Sequence, residues 1–195
     1  LGLLDLVALA TVCDVVPLRG LNRALVAQGL KVLRFRQNAG LRALTDAARL
    51  DEAPSRYSLG FILGPRINAG GRVGASDLGA RLLSCDDDIE ARIIAGKLEQ
   101  LNAERKAIEA RMLEEAYAFA ESSLDQLPTR PFLCLGDEDW HKGLIGLVAG
   151  RVTERYRLPS FAIAWDADGT GTGSARSIAD VDLGETIRNA VHGNL

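Results

Sequence analysis

Aromatic residues are scarce in this 195-residue sequence: Phe, Trp and Tyr together make up 5% of it. That scarcity argues against a platform on which rows of rings stack successive bases. Positive charge is not in excess either. Net charge is −3 and the isoelectric point about 5.5, so the chain as a whole casts no basic field, and any phosphate site has to be local. Two histidines, His141 and His192, are too few for an all-histidine metal cluster. Cys13, Cys85 and Cys134 stand far apart with no CxxC spacing. Their odd number and scatter suit buried thiols in a reducing cytoplasm, not a disulfide frame or a zinc site. No basic-then-apolar signal segment opens the chain, and no uncharged apolar run approaches the ~20 residues of a membrane span. No membrane partner is expected.

What is present is ordinary for a soluble globular protein. Hydrophobic residues make up 47% and charged residues 25%, with ample length for one large core or two small ones. The sequence begins without methionine, in "LGLLDLVALATVC", and stops at "VHGNL" soon after a helical pattern. Both ends read as cut, and the chain as a piece of a longer protein.

The first 85 residues read as short helices separated by Gly and Pro. "LLDLVALATVCDVV" is apolar around most of its circumference and reads as a buried helix ending near Pro17. Asn22 is a candidate cap for "RALVAQGLKVLRF". "GLRALTDAARL" is a third helix, and Asp77 is a candidate cap for "LGARLLSC". From about Asp86 to Ser123 there is no proline, and Ile94, Leu98, Leu101, Ile108 and Met112 keep one face apolar. A continuous helix there would run about 57 Å. Its polar window, Asn102–Ala107, suits a helix crossing water between two cores. Beyond it the period changes. "PFLCLG", "SFAIAW" and "SARSI" read as strands, with helices "KGLIGLVAGRVTERY" and "LGETIRNAV" between and after them, so this part is α/β.

Four places carry residues suited to chemistry. Asp14 is the one acid between Leu6 and Leu18. A carboxylate in apolar surroundings is costly unless paired or bound to a metal, so it is either a magnesium or manganese ligand or an exposed cap. "GFILGPRINAGGRVG" (60–74) reads as a glycine-rich interhelical loop in which Arg66, Asn68 and Arg72 either meet an anion or sit in solvent. His141 precedes a helix whose first turn contains Gly143 and Gly146; amides and dipole there favour an anion, unless the histidine merely caps. Ser174 and Arg176 in "GTGTGSARS" stand two apart on one side of a strand and can grip one phosphate, or form a polar hairpin edge. Neither a GxGxxG fingerprint nor a P-loop is present.

Together, "LDLVALATVCDVVPL", "LGPRINAGGR", "LNAERKAIE" and "HKGLIGLVAGRVTERY … GSARSI" stand in the order and spacing of RecJ-type exonucleases, and nearly the whole chain resembles that family of the DHH phosphoesterase superfamily. The resemblance implies the mainly helical end of a DHH domain (1–85), a connecting helix (86–123) and a truncated, small α/β DHH-associated domain (124–195). It implies metal-assisted, 5′-to-3′ hydrolysis of single-stranded DNA in recombination and repair, with Mn2+ or Mg2+ at a two-metal site. Asp14 matches the last metal-binding aspartate of the family's catalytic domain. Arg66 matches an arginine of the substrate cleft, with Asn68 and Arg72 in the same motif. Ser174 and Arg176 match the pair that holds substrate phosphate, and His141 a histidine facing the cleft. Single-stranded DNA is the implied partner, and single-strand-binding protein a candidate one. The Asp-His-His signature and the upstream aspartate motif are absent from this chain, so it is expected to be inactive alone. Two other readings stay open: a DHH phosphodiesterase of short oligonucleotides or cyclic dinucleotides, and a nucleic-acid-binding module without catalysis.

Overall fold

In the computed structural model, which describes residues 2–193, helices follow one another as far as Gln126 and three strands come only after it. Two compact units, Leu1–Arg105 and Lys106–Leu195, divide inside the longest helix. The α/β class, mainly helical at first with a long helix before a small sheet, is as expected.

The first unit contains α1 (Leu4–Cys13), α2 (Gly20–Leu33), α3 (Ala39–Ala47), a π-helical segment (Ser58–Leu63), α4 (Gly64–Val73), α5 (Leu78–Leu83) and the start of α6 (Asp88–Gln126). Helix α1 stops three residues before the expected Val16, because Val15 takes φ 55° and leaves the helical region. Burial along it is also less than its apolar composition suggests; the fully buried members are Asp5, Ala8 and Leu9. Asn22 does not cap α2. It lies inside the helix, and its amide donates to the Pro17 carbonyl at 3.2 Å, tying down the turn before it. Asn38 caps α3, accepting from the Leu41 amide at 2.8 Å and donating to the Leu83 carbonyl at 3.1 Å. Asp77 makes no capping bond to α5 and instead faces Arg81 at 3.9 Å. At the head of α6, Asp87 accepts from the Glu90 and Ile89 amides at 2.8 Å each, which holds its carboxyl below the usual range.

Residues 60–74 are not a loop. They run as π-helix into α-helix. Their glycines serve approach, not bending: a Cβ on Gly64 would lie 2.6 Å from Cys13 Sγ, where α4 crosses α1. Gly40 does the same for α3 and α5, its missing Cβ lying 2.7 Å from the Leu82 carbonyl carbon. Close crossing lets Leu9, Leu41, Leu44, Leu59, Leu63 and Leu82 fill one core with Leu98 of α6. Each such leucine contributes about 1.5–3 kcal/mol by its burial.

Asn102 corrects the polar-window reading. It is 1% exposed, and its Oδ1 accepts from Arg105 at 3.2 Å. Residues 103, 104, 106 and 107 do face water.

The second unit holds the rest of α6, β1 (Leu133–Asp137), α7 (Ile145–Tyr156), β2 (Ser160–Trp165), β3 (Gly171–Arg176) and α8 (Leu183–His192). The sheet order is β1-β2-β3; β1 and β2 are parallel across α7, and β2 and β3 form an antiparallel hairpin. Its core gathers Leu133, Leu135, Ala162 and Ala164 of the sheet, Val148, Ala149 and Val152 of α7, and Met112 and Ala116 of α6. The third strand starts earlier than expected, at Gly171, because that glycine leaves room for the Trp165 ring, 2.7 Å from where a Cβ would sit. Gly169, at φ 83°, is the turn glycine.

Candidate phosphate-binding site

In the second unit the structure brings together two features that are separate in the sequence. Helix α7 starts at Ile145, and no side chain caps it. Its first-turn amides stand at the positive end of a 12-residue helix. Beside Gly146 lie Ser174 and Arg176 of β3. A Cβ on Gly146 would stand 3.1 Å from Ser174 Oγ and 3.2 Å from Arg176 Nη2. The two side chains share one side of the strand, and Arg176 Nη1 donates to Ser174 Oγ at 3.2 Å. Arg176 Cγ passes 3.9 Å from the Cβ position of Gly150, one turn further on, so the side chain lies along a glycine track on α7. Thr153 Oγ1 donates to the Arg176 carbonyl at 3.3 Å and pins the strand end to the helix.

His141 stands just outside. Its Nδ1 accepts from the Gly143 amide at 3.1 Å, which leaves Nε2 carrying the proton of the neutral ring as a donor. Lys142 pairs with Asp166 at 2.6 Å and holds the approach to α7 against the β2–β3 turn. Backbone amides, a hydroxyl and an exposed guanidinium around one glycine form a set of donors with no acid among them. Such a set fits a phosphate. Gly150 and Thr153 went unnoticed in the sequence, although the i,i+4 spacing of Gly146 and Gly150 marks a helix face open to close approach.

The first unit arranges its expected residues differently. Asp14 is exposed and forms the C-cap of α1, its amide donating to the Ala10 carbonyl. The buried acid of α1 is Asp5, in the first turn, where a carboxylate suits the helix dipole. Asp14 sits at the opposite, negative end, an unfavourable place that a cation would relieve. Asn68 shares a cavity of about 150 Å³ with Ala10 and Cys13, next to Asp14. Burial pushes the Cys13 thiol up. Arg66 faces the other way. Its Nε and Nη2 both go to Glu99 of α6, and its Nη1 donates to the Ile62 carbonyl at 2.7 Å. It is therefore held by an acid within its own unit. Arg72 is half-buried in the last turn of α4. Among the described residues no three His, Cys, Asp or Glu side chains gather as a metal site.

Val15, next to Asp14, is β-branched, 85% exposed and at φ 55°. A left-handed residue of this kind costs about 1–2 kcal/mol, and such strain clusters at functional positions. Val15→Gly removes it at the expense of about 0.5–1 kcal/mol of chain entropy. The expected result is a higher urea midpoint, equivalent to up to about 1 kcal/mol of added stability. A lowered midpoint would show that packing, not strain, sets the turn.

With this geometry in view, curated proteins and solved structures prove similar to this chain over nearly its whole length. The relatives are RecJ single-stranded-DNA-specific exonucleases. The chain is 44% identical over 190 residues to that of Dickeya dadantii and 43% identical to that of Escherichia coli, in each case over 95% of this chain and 33% of the relative. It spans about a third of the length of the curated relatives it matches. A crystal structure of Thermus thermophilus RecJ with Mg2+ superimposes over 98% of this chain and 29% of its own, with TM-score 0.84 and 35% identity. The Mn2+ complex gives 0.83. No protein-family model matches the chain.

Proposed function

We propose that this chain is the phosphate-gripping part of a RecJ-type exonuclease that degrades single-stranded DNA from the 5′ end in recombination and repair. The observation that carries the reading is the convergence of the α7 amides, Ser174 and Arg176 around Gly146. Charge-assisted donors there neutralise a phosphate and set the register of the strand without reading its bases. The names of the relatives supply the substrate, and the Mg2+ and Mn2+ complexes of the Thermus protein supply the metals.

Asp14 offers one carboxylate to such a metal. One ligand does not hold a pair of ions, so the residues of this chain do not fit a complete centre; in our reading the others belong to residues outside these 195. Asn68, which lines the same cavity as Cys13, would orient a nearby phosphate or water. Arg66 reaches substrate only by exchanging Glu99 for it. The domain division into 1–85, 86–123 and 124–195 and a single-strand-binding protein partner belong to the same proposal.

The experiment is hydrolysis of labelled single-stranded DNA with Mn2+ or Mg2+. The 195-residue chain is expected to release no nucleotides. The full-length protein is expected to be active, and its Asp14→Ala variant to lose turnover while melting like the parent. Activity in the isolated chain would show that it is not inactive alone, and activity in full-length Asp14→Ala would remove Asp14 from the metal site.

A further inference from the structure

The charge of the chain is unevenly distributed. Between Val15 and Leu50 there are seven Arg and Lys residues and one acid, Asp46, a local balance of +6 in a chain of −3. Two of the seven are neutralised: Arg36 pairs with Asp46 and Arg42 with Asp88. Among the described residues, Arg23, Lys31 and Arg34 pair with no acid, and helix α2 itself carries none. Val26, Gly29 and Leu33 turn α2 toward the core, and all three cations lie on its exposed side. At 3.6 residues per turn they fall within about 80° of arc and span about 16 Å along the axis. That length spans several successive phosphates of a single strand. Phe35, 72% exposed, follows Arg34 at the end of the stripe and offers one ring for a base.

We propose that this face of α2 is a second contact for the backbone of single-stranded DNA, apart from the site at Gly146. It rests on the reading that the chain handles single-stranded DNA. Charge complementarity selects the occupant: three unopposed cations in a row, on a helix whose apolar face is already spent on the core. A membrane-surface helix needs that apolar face free for lipid.

The test is fluorescence anisotropy of a labelled 20-nucleotide oligothymidylate with the 195-residue chain, across a salt series. For R23E/K31E/R34E the affinity is expected to fall at least tenfold. The log–log salt slope is expected to flatten by about 2, from three contacts at roughly 0.7 each. A matched triple reversal on α6, K97E/K106E/R111E, is expected to change both only slightly. An unchanged α2 variant, or an equal loss in the α6 variant, overturns the proposal. So does stripe-dependent binding to phosphatidylserine vesicles without binding to the oligonucleotide. Arg176→Ala, measured alongside, separates the two readings. Loss there with an unchanged α2 variant leaves the proposed function standing and removes the α2 surface. Loss in the α2 variant alone supports the surface and counts against the Gly146 site.

Discussion

Replacing Arg176 with alanine is expected to weaken binding of single-stranded DNA by roughly ten- to a hundredfold, and nearly equally for any base sequence. A charge-assisted contact of this kind is worth about 1.5–3 kcal/mol, which converts to that range. A lost phosphate contact also flattens the log–log salt slope by about 0.7. Gly146→Ala sharpens the test because it deletes nothing. Its Cβ would press on Ser174 Oγ and Arg176 Nη2, and the guanidinium, at the end of a flexible chain, would swing aside. Alanine favours the helix by up to about 1 kcal/mol over glycine. The variant should therefore melt no lower than the parent yet bind several-fold more weakly. Unchanged affinity in both variants would reduce "GTGTGSARS" to a polar strand edge.

The largest loss of stability is expected from Gly40→Ala. The new methyl would meet the Leu82 carbonyl carbon at 2.7 Å and its oxygen closer still. Both are backbone atoms and cannot rotate away, so α3 and α5 must separate. Overpacking of this kind costs about 3 kcal/mol, a large share of the 5–15 kcal/mol typical of a domain. Gly71→Ala is the matched control, with nothing within 4 Å of its Cβ position. It should hold or gain slightly through helix propensity. Denaturation midpoints that fall equally for the two variants would contradict this account of the crossing.

The second unit was legible because its periods are local. "SFAIAW" alternates, and in the strand Ser160, Ala162 and Ala164 are buried while Trp165 is exposed. The helix 145–156 shows its apolar side at Val148, Ala149 and Val152. Residues 60–74 were misread because glycine's low helix propensity suggests a loop, whereas here packing overrides it. The cause lies in contacts far along the chain, Gly64 on Cys13 and Gly40 on Leu82, which no local pattern announces. Of the two readings of Asp14, the exposed cap is the one found, and its exposure follows from Val15 turning the chain outward, a backbone event without a sequence signature. Arg66 was recognisable as an arginine of the motif. Its Glu99 partner, thirty-three residues later, was not. The basic stretch from Val15 to Leu50 was hidden by averaging: the chain's −3 conceals it, and a running sum of charge would have found it.

The π-helical segment at 58–63 has a consequence for length. Its ladder closes one residue further back than an α-helix, as in the Gly64 amide bonded to the Leu59 carbonyl. The segment thus accommodates a residue that an α-helix of the same rise would exclude. Deleting one residue would let the ladder close as α-helix and rotate everything before it by about 100° relative to α4. Leu59, fully buried, would leave the core, while Tyr57 and Phe61, now stacked in solvent with centroids 5.1 Å apart, would be driven toward other neighbours. Residues 51–53, exposed and outside any helix, tolerate gained or lost residues far better. Two stretches a few residues apart therefore differ sharply in the insertions and deletions they can accept.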